Sequence, residues 1–199
     1  MLKSIVLSGK KLTPEECRQN ILDIFEMSTP EQREEGKQWY IKANEMCFDV
    51  SMKYLMPEHQ VVGILSALSP RTSWEINQRK LQEVLSKGTT FATGLQMDKV
   101  KRIFQTDFES TVLDILNGDK TKNFYLNIRR PLSPKGVTID THAIRVAYKD
   151  FRREISEPSM KPNQYRFFAE GYTSVASKLD LLPNQLQAIT WVTIKSLYS

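Results

Sequence analysis

A chain of 199 residues with 40% hydrophobic and 26% charged side chains has the apolar content for one substantial core or for two small lobes sharing one, which excludes a disordered chain. Eight glycines and nine prolines supply too few turns for an all-β sandwich. No uncharged apolar run approaches the ~18 residues of a membrane span, so no membrane partner is expected. The formal net charge is +5, but residues 118–153 hold nine basic and three acidic side chains, a local +6 that leaves the remainder at −1. A phosphate-binding face requires such a stretch, because each cation on a phosphate releases condensed counterions; a solvated basic surface is the other reading of the same residues.

Near the start, Ile5-Val6-Leu7 is too short for a signal-peptide core and is followed by Lys10-Lys11, so a cytoplasmic protein is expected. Thr13-Pro14-Glu15-Glu16 then reads as an N-cap, a proline at the first helical position and acids in the first turn. Cys17, Ile21, Leu22, Ile24 and Phe25 follow at helical spacing, predicting a helix to about Met27. Thr29-Pro30-Glu31-Gln32 repeats the pattern and opens a long amphipathic segment through Trp39, Tyr40, Ala43, Met46, Cys47, Val50 and Tyr54. Both cysteines fall on helical segments, where a small buried hydrophobe is expected rather than a disulfide or a ligand.

Beyond Pro57, the run from Glu58 to Leu68 is apolar on nearly all sides, as a central helix covered by its neighbours would be. Pro70 ends it, Ser73 caps the next helix, and that helix stops near Gly88. Further helices are predicted at about 97–104, 108–116, 121–128, 141–151, 162–179 and 183–197. Val137-Thr138-Ile139 is the one short strand candidate. The C-terminal pattern of Leu186, Ile189, Trp191, Val192, Ile194 and Leu197 reads as packing.

Chemistry concentrates between Gly118 and Ala147. Gly118-Asp119-Lys120-Thr121-Lys122-Asn123 opens a helix, and Val137-Thr138-Ile139-Asp140-Thr141-His142 starts another after a short loop. These two motifs, in this order and at this separation, resemble the helix-hairpin-helix DNA glycosylase superfamily in its endonuclease III-like form. Ile64 to Thr72 is similar to the family's apolar helix ending in a loop against the DNA. The resemblance covers about Gln60 to Val146. The Ser-Pro-x-Thr-Ser-Trp, Gly-x-Lys and Val-Thr-x-Asp-x-His combinations are also similar to small phage proteins and to phage enzymes that hypermodify thymine; for a phage-encoded protein the expected location is the host cytoplasm. Two features depart from the family. Leu116-Asn117-Gly118-Asp119 keeps one hairpin glycine and adds an acid, and two cysteines cannot supply the four thiolates of an iron–sulfur cluster. No cofactor and no metal are expected.

The resemblance implies an all-α, two-lobed glycosylase-like fold with a degenerate helix-hairpin-helix. Its lobes would be about 60–135 and 1–59 plus 136–199, with Lys120 and Asp140 facing the cleft between them. Asp140 has two compatible roles: N-cap of its helix, and, by resemblance, the carboxylate that stabilises an oxocarbenium-like sugar and activates the attacking group. Lys120 matches the lysine that forms a Schiff base in bifunctional members, which demands an unprotonated amine; a phosphate contact or a solvated lysine is the plainer role. His142, in the first turn after Asp140, suits a neutral hydrogen-bonding or packing role, with a proton shuttle as the other. Arg71 and Trp74 would face the flipped base or the hole it leaves, and Tyr125 and Asn127 would line the pocket; for Trp74 and Tyr125 ordinary core is the alternative. Lys122, Arg129, Arg130, Arg145, Lys149 and Arg152 would bind phosphates. The implied activity is cleavage of the N-glycosidic bond of a modified or damaged base, with DNA as partner. Two alternatives stand beside it: transfer at a thymine 5-substituent, and a non-catalytic DNA-binding or interaction module.

Overall fold

In the computed structural model, residues 4–7, 9–151 and 160–197 are described. Arg152, an expected phosphate ligand, lies outside them. Among the described residues, ten helices and one two-stranded antiparallel ribbon make an all-α protein. They are β1 (Ile5–Leu7), β2 (Lys10–Leu12), α1 (Pro14–Glu26), α2 (Pro30–Tyr54), α3 (Glu58–Leu68), α4 (Trp74–Lys87), α5 (Gly94–Phe104), α6 (Glu109–Leu116), α7 (Asp119–Arg129), α8 (Thr141–Tyr148), α9 (Pro162–Lys178) and α10 (Pro183–Ser196).

Local rules account for the helix starts. Thr13 and Glu16 form a reciprocal capping box at α1, as do Thr93 and Gln96 at α5. Ser73 accepts the Ile76 N–H at α4, and prolines occupy the first turns of α1, α9 and α10. α8 is shorter than expected, because Lys149 turns left-handed at φ 48° and ends it after Tyr148. The strand expected at Val137-Thr138-Ile139 is not one. Its three residues are buried, but the Ile139 N–H donates to the Tyr165 hydroxyl, which in turn donates to the Val137 carbonyl. A side chain satisfies what a neighbouring strand would have satisfied. The strands lie instead at the N-terminus, with Ile5 opposite Leu12 and Leu7 opposite Lys10.

The chain forms two compact units, Met1–Ile41 with Pro131–Ser199 and Lys42–Arg130, so one division falls inside α2 and the other after Arg130. In the first unit α1 packs on α8, α9 and α10 around Cys17, Ile21, Ile24, Val146, Phe168, Tyr172 and Leu186. In the second, α3 is buried from Gln60 to Leu68 beneath α4, α5, α6 and α7. Gly63 allows that enclosure, since a β-carbon there would stand 2.7 Å from Val112 of α6 and 3.3 Å from Ile103 of α5.

Candidate active site

Asp140 stands at the end of the buried segment that Tyr165 pins. Its Oδ1 accepts the Ala143 N–H at 2.8 Å and caps α8, a bond that stabilises a helix by about 1 kcal/mol. The cap uses one carboxylate oxygen, and the side chain is partly exposed. Tyr172 underlies the first turn of α8, with its hydroxyl donating to the Ala143 carbonyl and 3.2 Å from that of Thr190. Burial, reinforced by the Asp140 charge, holds Tyr172 well above the usual phenol range, so it stays a neutral hydroxyl.

Two residues after Asp140, the His142 ring stands edge-on to Trp191, with centroids 6.2 Å apart. Trp191 meets Trp39 edge-on at 5.8 Å, Trp39 meets Tyr40 at 4.8 Å, and the Lys195 ammonium lies 4.2 Å over the Trp191 ring. His142, Trp39 and Trp191 are all half-buried. The first unit thus carries a carboxylate, an imidazole, two indoles and an ammonium from α2, α8, α10 and the start of α8. By helical spacing alone Trp191 belongs to a packing pattern and Trp39 to an amphipathic face. No local motif joins residues so far apart in the chain, and the one available signal was the presence of two tryptophans on otherwise ordinary helices.

In the second unit, α6 and α7 are joined through Asn117 and Gly118 alone, at φ 32° and 81°. The glycine tolerates a backbone that a side chain would strain. Lys99 from α5 completes the turn, donating to the Leu116 carbonyl and the Asn117 Oδ1, both at 3.0 Å. Burial and the neighbouring Arg102 lower its affinity for a proton. The N-terminus of α7 has no side-chain cap. Lys120 and Lys122 occupy its first turn, both partly exposed.

Several expected site residues are placed elsewhere. Tyr125 is 0% exposed and Asn127 1%, so both belong to the core of the second unit. Arg145 is 5% exposed, its Nε donating to the Asp150 carbonyl at the end of its own helix. Arg129 is held by Glu58 at 2.7 Å and Glu109 at 3.7 Å. Lys149 is ion-paired with Asp23. Arg130 is exposed, 3.6 Å from Glu109. Arg71 is exposed at φ 58°, and Trp74 is half-buried at the first position of α4. Of the local positive excess, the described side chains that keep open access are therefore fewer than the sequence count suggests.

Among the described residues, no group of three or more His, Cys, Asp or Glu is arranged to hold a metal ion, and no helix is long and apolar enough to cross a membrane. Comparison with curated proteins and with solved structures found no match. A family model does match, over residues 3–197, and the chain therefore belongs to the Family of unknown function (DUF7178).

Proposed function

We propose that the protein processes bases in DNA, as a glycosylase that breaks the N-glycosidic bond of a modified or damaged nucleotide. One observation carries the reading: a partly exposed carboxylate, fixed through one oxygen by the cap of α8, sits two residues from an imidazole set edge-on in an aromatic array. The order of elements supports it, since two helices joined by a two-residue turn precede an Asp-capped helix, as the glycosylase resemblance requires. The C1′–N bond breaks with its electron pair leaving on the base, which takes up a proton. The Asp140 charge stabilises the sugar cation and removes a proton from the water that captures it, leaving an abasic site. Indole and imidazole faces suit an unstacked base. For Lys120 the proposed part is the imine of a subsequent lyase step.

The test is mass spectrometry of nucleosides from duplex DNA carrying modified bases, before and after treatment. Release of a free base by the wild type and its loss in Asp140→Asn, at unchanged helix content, is the expected outcome, because asparagine preserves the cap and removes the charge. Equal release by Asp140→Asn overturns the assignment. An altered base still attached to its sugar transfers the reading to 5-substituent chemistry. Borohydride trapping of a protein–DNA adduct, lost in Lys120→Ala and retained in Lys122→Ala, tests the lyase step.

A further inference from the structure

The second unit has an open groove of about 390 Å³ that the base chemistry above does not use. Pro70, Arg71 and Thr72 of the α3–α4 loop line it together with Lys80 of α4 and with Phe91, Thr93 and Gln96 around the start of α5. Its walls are tied to the buried end of α3. Asn77 donates to the Leu65 carbonyl, Gln96 donates to the Leu68 carbonyl, and the Lys80 ammonium donates to the Thr72 hydroxyl. Phe91 is 93% exposed, an extreme value for a ring at the edge of a formed groove. Arg71 is presented from a left-handed backbone that L side chains rarely adopt.

Charge and shape together select an occupant. The lining holds two cations and no carboxylate; the nearby Glu83 is engaged by the Thr90 hydroxyl at 2.5 Å and by Arg79. An acidic ligand is therefore favoured, and an uncovered benzene face beside the cations calls for a planar group on that ligand. Polyanionic backbone with a free π-face at each step describes nucleic acid whose bases are unpaired. In a duplex those faces are already stacked and cannot reach Phe91.

We propose that this groove binds a single-stranded segment of DNA, with one unpaired base stacked on Phe91 and the adjoining phosphate held by Arg71 and Lys80. The experiment is fluorescence anisotropy of a short labelled oligo(dT) strand, alone and annealed to its complement, over a range of salt concentrations. Phe91→Ala should weaken binding of the strand about tenfold and leave the duplex unaffected, while Phe91→Trp retains the wild-type affinity. Arg71→Ala and Lys80→Ala should each reduce the slope of log affinity against log salt by about 0.7. Asp140→Asn should bind the strand as the wild type does, which separates this site from the base chemistry. Absence of strand binding by the wild type overturns the proposal, even if base release is observed. So does a Phe91→Ala protein that binds the strand normally, including one whose only change is loss of self-association in light scattering, which would make the exposed ring a protein contact.

Discussion

The sulfur of Cys17 lies 2.8 Å from the point that a β-carbon on Gly171 would occupy. α1 and α9 therefore cross at a site where one helix offers a thiol and the other nothing. Gly171→Ala is expected to cost about 2 kcal/mol through overpacking, and most of that should vanish in a Cys17→Ala background, where the obstructing sulfur is gone. Urea denaturation of the two single variants and the double variant measures it. Additive costs would mean that the helices shift apart instead.

Burial pushes the thiols of both Cys17 and Cys47 up to about 12, with the Glu58 charge adding to the effect at Cys47. Only a thiolate attacks a disulfide reagent, so at pH 8 the native protein should react orders of magnitude more slowly than the protein in denaturant. Its rate should rise with urea in step with unfolding. A fast stoichiometric phase in native buffer would show that the surroundings of one of the two buried thiols open locally.

Helix positions were legible in the sequence because their signals are local. Thr13-Pro14-Glu15-Glu16 and Ser73 announce α1 and α4 within four residues, and the run from Val61 to Leu68, apolar but for Ser66, announces a helix enclosed by its neighbours. The N-terminal ribbon was not legible, since three-residue strands are too short to establish a period of two. Val137-Thr138-Ile139 misled for a related reason: β-branched residues record an extended, buried backbone, but not whether its partner is a strand or, as here, one tyrosine. The site divides in the same way. Asp140 and its cap were readable from neighbours in sequence, whereas the partners that occupy Arg129 and Lys149, namely Glu58, Glu109 and Asp23, lie too far away in the chain for any spacing rule.

Asp23 accepts from Lys149 and from Gln19, and those two hydrogen bonds hold its carboxyl below the usual aspartate range. A depressed folded value means that the unfolded chain binds the proton more readily, so the contribution is present above pH ~4, the unfolded value, and is lost as pH falls through the folded one. Wild type should therefore be more stable than Asp23→Asn at pH 7, with the difference shrinking as the pH falls below ~4 and on through the folded value. Chemical denaturation at a series of pH values tests this. A difference that is constant across the acid range would assign the effect of the substitution to packing.

The adjacent arginines at the end of α7 should behave as opposites. Burial works against the Arg129 charge, but its bond to Glu58, the Glu58 charge and the smaller effects of Tyr125 and Glu109 together outweigh that and raise its proton affinity. The same carboxylate accepts from Asn44 at 2.8 Å, so the guanidinium ties α2, α3, α6 and α7 together. Arg129→Ala leaves Glu58 and Glu109 without their shared counter-charge and should cost about 3 kcal/mol. Lysine should not restore the loss, because a point charge cannot bridge two carboxylates as a planar fork does. Arg130, with 63% of its side chain exposed, should cost under ~1 kcal/mol when truncated. On duplex DNA the order reverses: Arg130→Ala should lower the salt dependence of binding by about one phosphate contact, and Arg129→Ala, measured where it remains folded, should not. Equal salt slopes for the Arg130 variant and the wild type would remove this end of α7 from the DNA-binding face.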